Sequence, residues 1–127
     1  MYDCNIVVID DDEVSLEILQ TTLKGISLHE IICFSNSDEA MSFVRSAQVQ
    51  SVSLVVCDWL MPDVSGLEIL EALRETHPKC PFLMVTGNAT TQLVVEAMRL
   101  GATDFIVKPF HTDNLFAKVE RLIRDAD

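Results

Sequence analysis

Basic residues are scarce in this chain. Lysine and arginine number 9 against 20 aspartates and glutamates, so the formal net charge at neutral pH is −11. Such a chain repels phosphate backbones and anionic lipid, which argues against direct nucleic-acid binding and against work at a membrane surface. Long apolar runs are missing too. None approaches the ~20 residues of a membrane-crossing helix. The N-terminus, Met-Tyr-Asp-Cys, lacks the basic stretch that opens a secretory signal. There is no C-x-x-C pair among Cys4, Cys33, Cys57 and Cys80, and three of the four lie in or beside apolar runs. They read as reduced thiols of a cytoplasmic protein, not as a disulfide framework or a zinc site. His29, His77 and His111 are scattered, pair with no cysteine, and read as surface or loop residues.

What is present suffices for one packed core. The 127 residues are 49% hydrophobic, which argues against intrinsic disorder, and their number suits a single domain. No linker, internal repeat or low-complexity segment divides the chain, so residues 1–127 are taken as one unit.

Five β-type runs recur, at 5–9, 29–34, 53–57, 82–86 and 104–107, and each is followed by a helix-type segment. Three of the runs, IVVI, LVVC and FLMV, are almost continuously apolar, as a strand covered on both faces must be. Between them, apolar residues fall at helical spacing. One stripe is Ala40, Phe43, Val44 and Ala47, and another is Leu67, Leu70 and Leu73. Leu16, Leu19 and Leu23 make a third, stopping before Gly25, a candidate C-terminal cap. Leu115, Phe116, Val119, Leu122 and Ile123 form the last, and Asn36 with Glu39 has the spacing of a capping box. Alternating strands and helices with short connections predict an α/β domain, (βα)5, with parallel strands and right-handed crossovers.

In an open parallel sheet, ligands bind beyond the carboxyl ends of the strands. Asp10, Asp11, Asp12 and Glu13 follow the first run, Asp58 the third, Thr86 ends the fourth, and Lys108-Pro109 follows the fifth. Carboxylates brought together either share a proton or hold a cation. All-oxygen ligation selects a hard ion, Mg²⁺ or Ca²⁺, and the D-x-D-x-D-G loop of calcium-binding hands is absent. With a hydroxyl and an ammonium on the same edge, the site has the composition for Mg²⁺ and a phosphoryl group. Each element alone has a plainer reading: acids suit a helix N-terminus, and Lys-Pro often merely stops a strand. Their joint placement carries the argument.

The stretches VVIDDDE, LVVCDWLMPDVSGLEIL, FLMVTGNA and AMRLGATDFIVKPF resemble the receiver domain of two-component response regulators, of the chemotaxis-regulator type, over residues 6 to about 124. The run Asp58, Met61, Pro62, Gly66, together with Thr86 and Lys108-Pro109, is the specific part. The resemblance implies a single doubly wound, flavodoxin-like domain with sheet order 2-1-3-4-5. It implies Asp58 as the phosphoacceptor. It implies Mg²⁺ on Asp11, Asp58 and the backbone carbonyl of Leu60, with Asp10 acting through water. Thr86 and Lys108 would contact the phosphoryl oxygens, Thr86 and Phe105 would act as switch residues, and Lys108-Pro109 would be cis. A sensor histidine kinase or phosphotransfer protein would donate the phosphoryl group. An output domain, or a second copy, would use the face made by the fourth helix, fifth strand and fifth helix. The domain would catalyse only its own phosphorylation and dephosphorylation, in the cytoplasm of a bacterium. Asp12 has no implied role and reads as helix N-terminal charge.

Two features depart from the pattern. Leu60 and Asn88 occupy the positions two after Asp58 and two after Thr86, which flank the path of the hydrolytic water in this family. A leucine cannot hydrogen-bond that water; the plainer reading is that it is merely tolerated there, since only its backbone carbonyl would contact the metal. In the fourth helix, Leu93, Val94, Val95, Ala97, Met98 and Leu100 span roughly 220° at 100° per residue, against the ~100° of a one-sided helix. The plainer expectation is a well-buried helix, and the alternative is an exposed docking surface. Two rival readings exist. Asp10-x-Asp12 matches the nucleophile loop of haloacid-dehalogenase-like phosphatases, with Asp10 as nucleophile and Asp12 as acid/base. A flavin-binding flavodoxin-like protein would instead need a Ser/Thr/Gly-rich first loop, where this one is acidic.

Overall fold

The computed structural model describes residues 1–126. Its strands are β1 (Ile6–Ile9), β2 (Ile32–Phe34), β3 (Leu54–Asp58), β4 (Phe82–Thr86) and β5 (Asp104–Val107). Its helices are α1 (Glu13–Leu23), α2 (Ser37–Val44), α3 (Gly66–Thr76), α4 (Thr91–Arg99) and α5 (Thr112–Asp125), with a 3₁₀ turn at Ala47–Ser51. All strand pairs are parallel and the sheet order is β2-β1-β3-β4-β5.

The continuously apolar strands are explained by two cores, one on each face. Side chains alternate across a strand. Val7, Ile9, Val55, Cys57, Phe82 and Met84 face α2, α3 and α4. Ile6, Val8, Leu54, Val56, Leu83 and Val85 face α1 and α5. Cys4, Cys57 and Cys80 are buried, Cys33 is half-buried, and all four are free thiols. No helix is long and apolar enough to cross a membrane among the described residues.

Several local expectations are corrected. The second strand is shorter than 29–34, because His29 and Glu30 are exposed and only residues 32–34 pair with β1. Asn5 stays outside β1, its N–H taken by the Ser53 hydroxyl at 2.9 Å. Ala47 does not continue α2. Both the N–H and the hydroxyl of Ser46 donate to the Phe43 carbonyl, which closes the helix, and Val49 fills the core instead. Gly25 is not a left-handed cap: Lys24 caps α1 in right-handed geometry, and a Cβ on Gly25 would meet the Phe116 ring at 3.3 Å. Asn36 does cap α2 by accepting from the Glu39 N–H at 3.0 Å. The reciprocal box is at α3, where Ser65 and Glu68 exchange bonds, a pair the reading of the sequence did not single out. The wide apolar arc of α4 is not buried as a whole. Only Ala97 is fully covered, while Val95 is 58% and Met98 40% exposed.

Candidate functional site at the carboxyl edge of the sheet

Strand order sets the site. Asp10 directly follows β1 and donates its N–H to the Phe34 carbonyl at 3.1 Å. Asp58 is the last residue of β3, in register with Val85, and Thr86 ends β4 in register with Val107. Lys108 follows β5 and donates its N–H to the Thr86 carbonyl at 2.8 Å. Residues far apart in sequence are thereby gathered on one edge.

The three acids expected to hold a metal do converge. One carboxylate oxygen each from Asp10, Asp11 and Asp58 lies within 4.8 Å of the others. Asp10 is fully buried and Asp58 is 7% exposed, whereas Asp11 is open to solvent. Lys108 Nζ donates to Asp10 Oδ2 at 2.8 Å and lies 3.7 Å from Asp58 Oδ2. One ammonium against three carboxylates leaves the cluster under-neutralised. Burial, then the Asp10 charge, push the Asp58 carboxyl up to about 6, with Lys108 opposing and Asp11 adding to the rise. Burial works against the charged form of Lys108, but the hydrogen bond and charge of Asp10 outweigh it and hold its pKa above the usual value. A dense, partly dry group of oxygen donors with excess negative charge fits a hard divalent cation.

Thr86 is fully buried, and its Oγ1 accepts from the Asn88 N–H at 3.1 Å, which leaves the hydroxyl hydrogen for an acceptor. The Leu60 side chain is 63% exposed. Asn88 is also exposed. Phe105 is half-buried against the core shared with α4, and Lys118 Nζ stands 5.7 Å from its ring centroid. The Lys108-Pro109 peptide is cis. Trp59 is buried beside Asp58 and donates its N–H to the Val85 carbonyl.

Gly66 has a steric role. A Cβ there would lie 2.6 Å from the Asp58 carbonyl oxygen and 2.7 Å from Trp59 Cα. Glycine is what lets the first turn of α3 close onto the end of β3, where its N–H reaches the Trp59 carbonyl at 2.9 Å.

Asp12 points elsewhere. Its carboxylate accepts from the Val14 N–H at 3.3 Å and from the Ser15 hydroxyl at 2.9 Å, capping α1. Those bonds lower its pKa, the Ser15 hydroxyl first. A side chain committed to the helix end is not available as the acid/base that a haloacid-dehalogenase-like phosphatase requires. The segment after β5 is the helix α5, not a strand bearing a further acidic pair.

A parallel 2-1-3-4-5 sheet with an aspartate cluster, a strand-end threonine and a lysine at its carboxyl edge defines a flavodoxin-like α/β domain with a candidate cation site. The family described as the response regulator receiver domain matches residues 6–120, and the chain belongs to that family, as the receiver domain of a two-component response regulator. It is 36% identical over 123 residues to the transcriptional regulatory protein FixJ of Bradyrhizobium diazoefficiens, covering 97% of this chain and 58% of FixJ. It is 32% identical over 119 residues to the transcriptional regulatory protein ZraR of Escherichia coli, covering 94% of this chain and 26% of ZraR. Among solved structures, the BeF3-activated receiver domain of DrrB, a Thermotoga maritima protein, superposes with a TM-score of 0.86 at 26% identity, covering 97% of this chain and 99% of that one. The chain thus spans between about a quarter and about three-fifths of these curated relatives. The haloacid-dehalogenase reading has no support in these comparisons.

Proposed function

We propose that Asp58 accepts a phosphoryl group from a histidine kinase or phosphotransfer protein, with Mg²⁺ on the aspartate cluster. The observation that carries this reading is the under-neutralised triad of Asp10, Asp11 and Asp58 with Lys108 at its rim. A carboxylate oxygen of Asp58 forms the new O–P bond. The P–N bond of the donor phosphohistidine breaks, and its electron pair stays with the imidazole. Asp10, Asp11, Asp58 and the Leu60 carbonyl would hold the cation, which when bound offsets charge on the phosphoryl oxygens. Lys108, already bonded to Asp10, supplies a second positive charge at that edge, and the Thr86 hydroxyl supplies a hydrogen bond. The acyl phosphate adds about two negative charges. Thr86 and Phe105 then bias a pre-existing equilibrium of the α4-β5-α5 face, which an output domain or a second copy reads. The domain turns over no other substrate, and Leu60 offers no hydrogen bond to the water that ends the signal.

The test is mass spectrometry after incubation with acetyl phosphate and Mg²⁺. One addition of ~80 Da, the mass of one phosphoryl group, is expected in the wild type and none in Asp58→Asn. Full labelling of that variant would reassign the acceptor.

A further inference from the structure

The segment between β3 and α3 runs from Asp58 to Gly66 and is fixed at both ends. Trp59 donates its N–H to the Val85 carbonyl, and Gly66 donates its N–H to the Trp59 carbonyl. An outlier stands between them. Asp63 has φ +67°, in the left-handed region that residues other than glycine rarely enter. The Val64 N–H closes onto the Pro62 carbonyl at 2.8 Å, two residues back. Pro62–Val64 is therefore a γ-turn with positive φ at its centre, the rarer and strained form. Such a turn persists only where its surroundings hold it.

The hold comes from another element. Ser37 opens α2 and is 5% exposed. Its hydroxyl donates to the Pro62 carbonyl at 2.8 Å and accepts from the Val64 N–H at 3.2 Å, so one oxygen bridges both ends of the turn. The hydroxyl is free for this because Asn36 caps the helix, accepting from the Glu39 N–H. Ala40 and Val44, fully buried, anchor the helix from which Ser37 reaches the turn. Among the described residues, no other group outside the segment hydrogen-bonds residues 60–64. The Leu60 carbonyl lies two residues before the turn.

We propose that Ser37 is a positioning residue for the cation site. Its hydroxyl holds the Pro62–Val64 turn and, through it, the Leu60 backbone, whose carbonyl is offered to the cation in the function proposed above; the inference rests on that reading. A carbonyl on an unsecured loop must be ordered as the ion binds, and that ordering weakens affinity. Ser37 orders it beforehand. Helix α2 contributes nothing to the cluster of Asp10, Asp11 and Asp58, yet acts on it through one hydroxyl.

The experiment is calorimetric titration of the full chain with MgCl₂ at constant ionic strength. Saturable binding is expected in the wild type. Ser37→Ala should weaken the Kd about three- to tenfold, the equivalent of about one hydrogen bond. Ser37→Cys, which keeps the shape and bonds poorly, should weaken it similarly. Val44→Ala, a truncation in the core of α2, should lower the melting temperature and leave the Kd unchanged. Acetyl-phosphate labelling of Asp58 supplies a second readout. In Ser37→Ala the rate should lag at limiting Mg²⁺ and reach the wild-type rate at saturation, because the cation and not the acceptor is affected. Unchanged Kd in both Ser37 variants would overturn the proposal. So would an equal loss in Val44→Ala, or a labelling deficit that saturating Mg²⁺ does not repair. A wild type that binds Mg²⁺ and is labelled, beside unaffected Ser37 variants, sinks this inference alone. A wild type without saturable Mg²⁺ binding or labelling sinks the proposed function.

Discussion

Asp58 is held as an anion at a cost. Burial and the Asp10 carboxylate raise its pKa to about 6, above the ordinary value of 3.8, so the folded state binds a proton more tightly than the unfolded chain does. Stability from this group is therefore fully present below pH 4 and lost as pH rises through about 6. Asp58→Asn, which carries no charge, should gain on the wild type across that window and level off above it. The difference approaches about 3 kcal/mol, the free-energy equivalent of the displaced ionisation. Thermal melts of both proteins from pH 4 to 8 check this. Added Mg²⁺ should abolish the advantage, because the cation offsets the same charge in the wild type only. A difference independent of pH would mean that Asp58 is not the strained acid. Gly66 shows the other face of residue-scale constraint, since its value lies in what a methyl group would strike.

At the scale of elements, α4 is held at one end. Arg74, at the last turn of α3, donates to the Gly101 carbonyl through Nε at 3.0 Å and through a terminal nitrogen at 2.6 Å, and to the Cys80 carbonyl at 2.7 Å. It thereby ties α3 to the turn after α4 and to the chain entering β4. Gly101 has φ +111°, and a Cβ there would sit 2.7 Å from Arg74 Nε. Gly101→Ala and Arg74→Met should each cost about 1–3 kcal/mol, the first by strain and clash, the second by leaving carbonyls unpaired. The two should be less than additive, because Arg74→Met removes the polar fork that the alanine strikes. Urea midpoints of the four proteins measure the coupling, and strict additivity would separate the two sites. Elsewhere on α4 the exposed part of the apolar arc is dispensable for folding. Val95→Asp should stay within about 0.5 kcal/mol of wild type, whereas Ala97→Asp, which buries an unpaired charge, should unfold much of the population. Equal cost at the two positions would show that Val95 is core.

For the molecule as a whole, charge dominates. With a net −11, screening should favour the folded state, and the melting temperature should rise as NaCl goes from about 10 to about 150 mM. At constant ionic strength, Mg²⁺ should add a further increment that saturates, of about 2.7 kcal/mol at a hundredfold excess over Kd. Asp11→Asn should lose most of that increment while keeping the response to NaCl. A variant that keeps the full Mg²⁺ increment would move the metal away from the triad.

Much of this was legible in the linear chain. Uninterrupted apolar runs such as LVVC mean burial on both faces, and that alone forces helices on both sides of a parallel sheet. Acids, a hydroxyl and a Lys-Pro at successive strand ends must share an edge once the strands are parallel, so the composition of the site followed from order along the chain. Three-dimensional packing decided the rest. Whether Asp12 joins the cluster or caps α1 depends on a hydroxyl three residues on, at 2.9 Å, against a pocket that Lys108 and Asp10 already fill. Where α2 stops depends on Ser46 competing for the Phe43 carbonyl. How much of the α4 arc is covered depends on how closely the helix sits on the sheet, a distance that periodicity does not contain. The ion pairs between β5 and α5 need the strand laid beside the helix, since Asp104 meets Lys118 and Arg121 only across that contact. Local propensity and hydrophobic period act along the chain and can be read there. Competition for a shared carbonyl, the neutralisation of a buried charge and the approach of two elements are set by groups distant in sequence, so only the tertiary structure determines them.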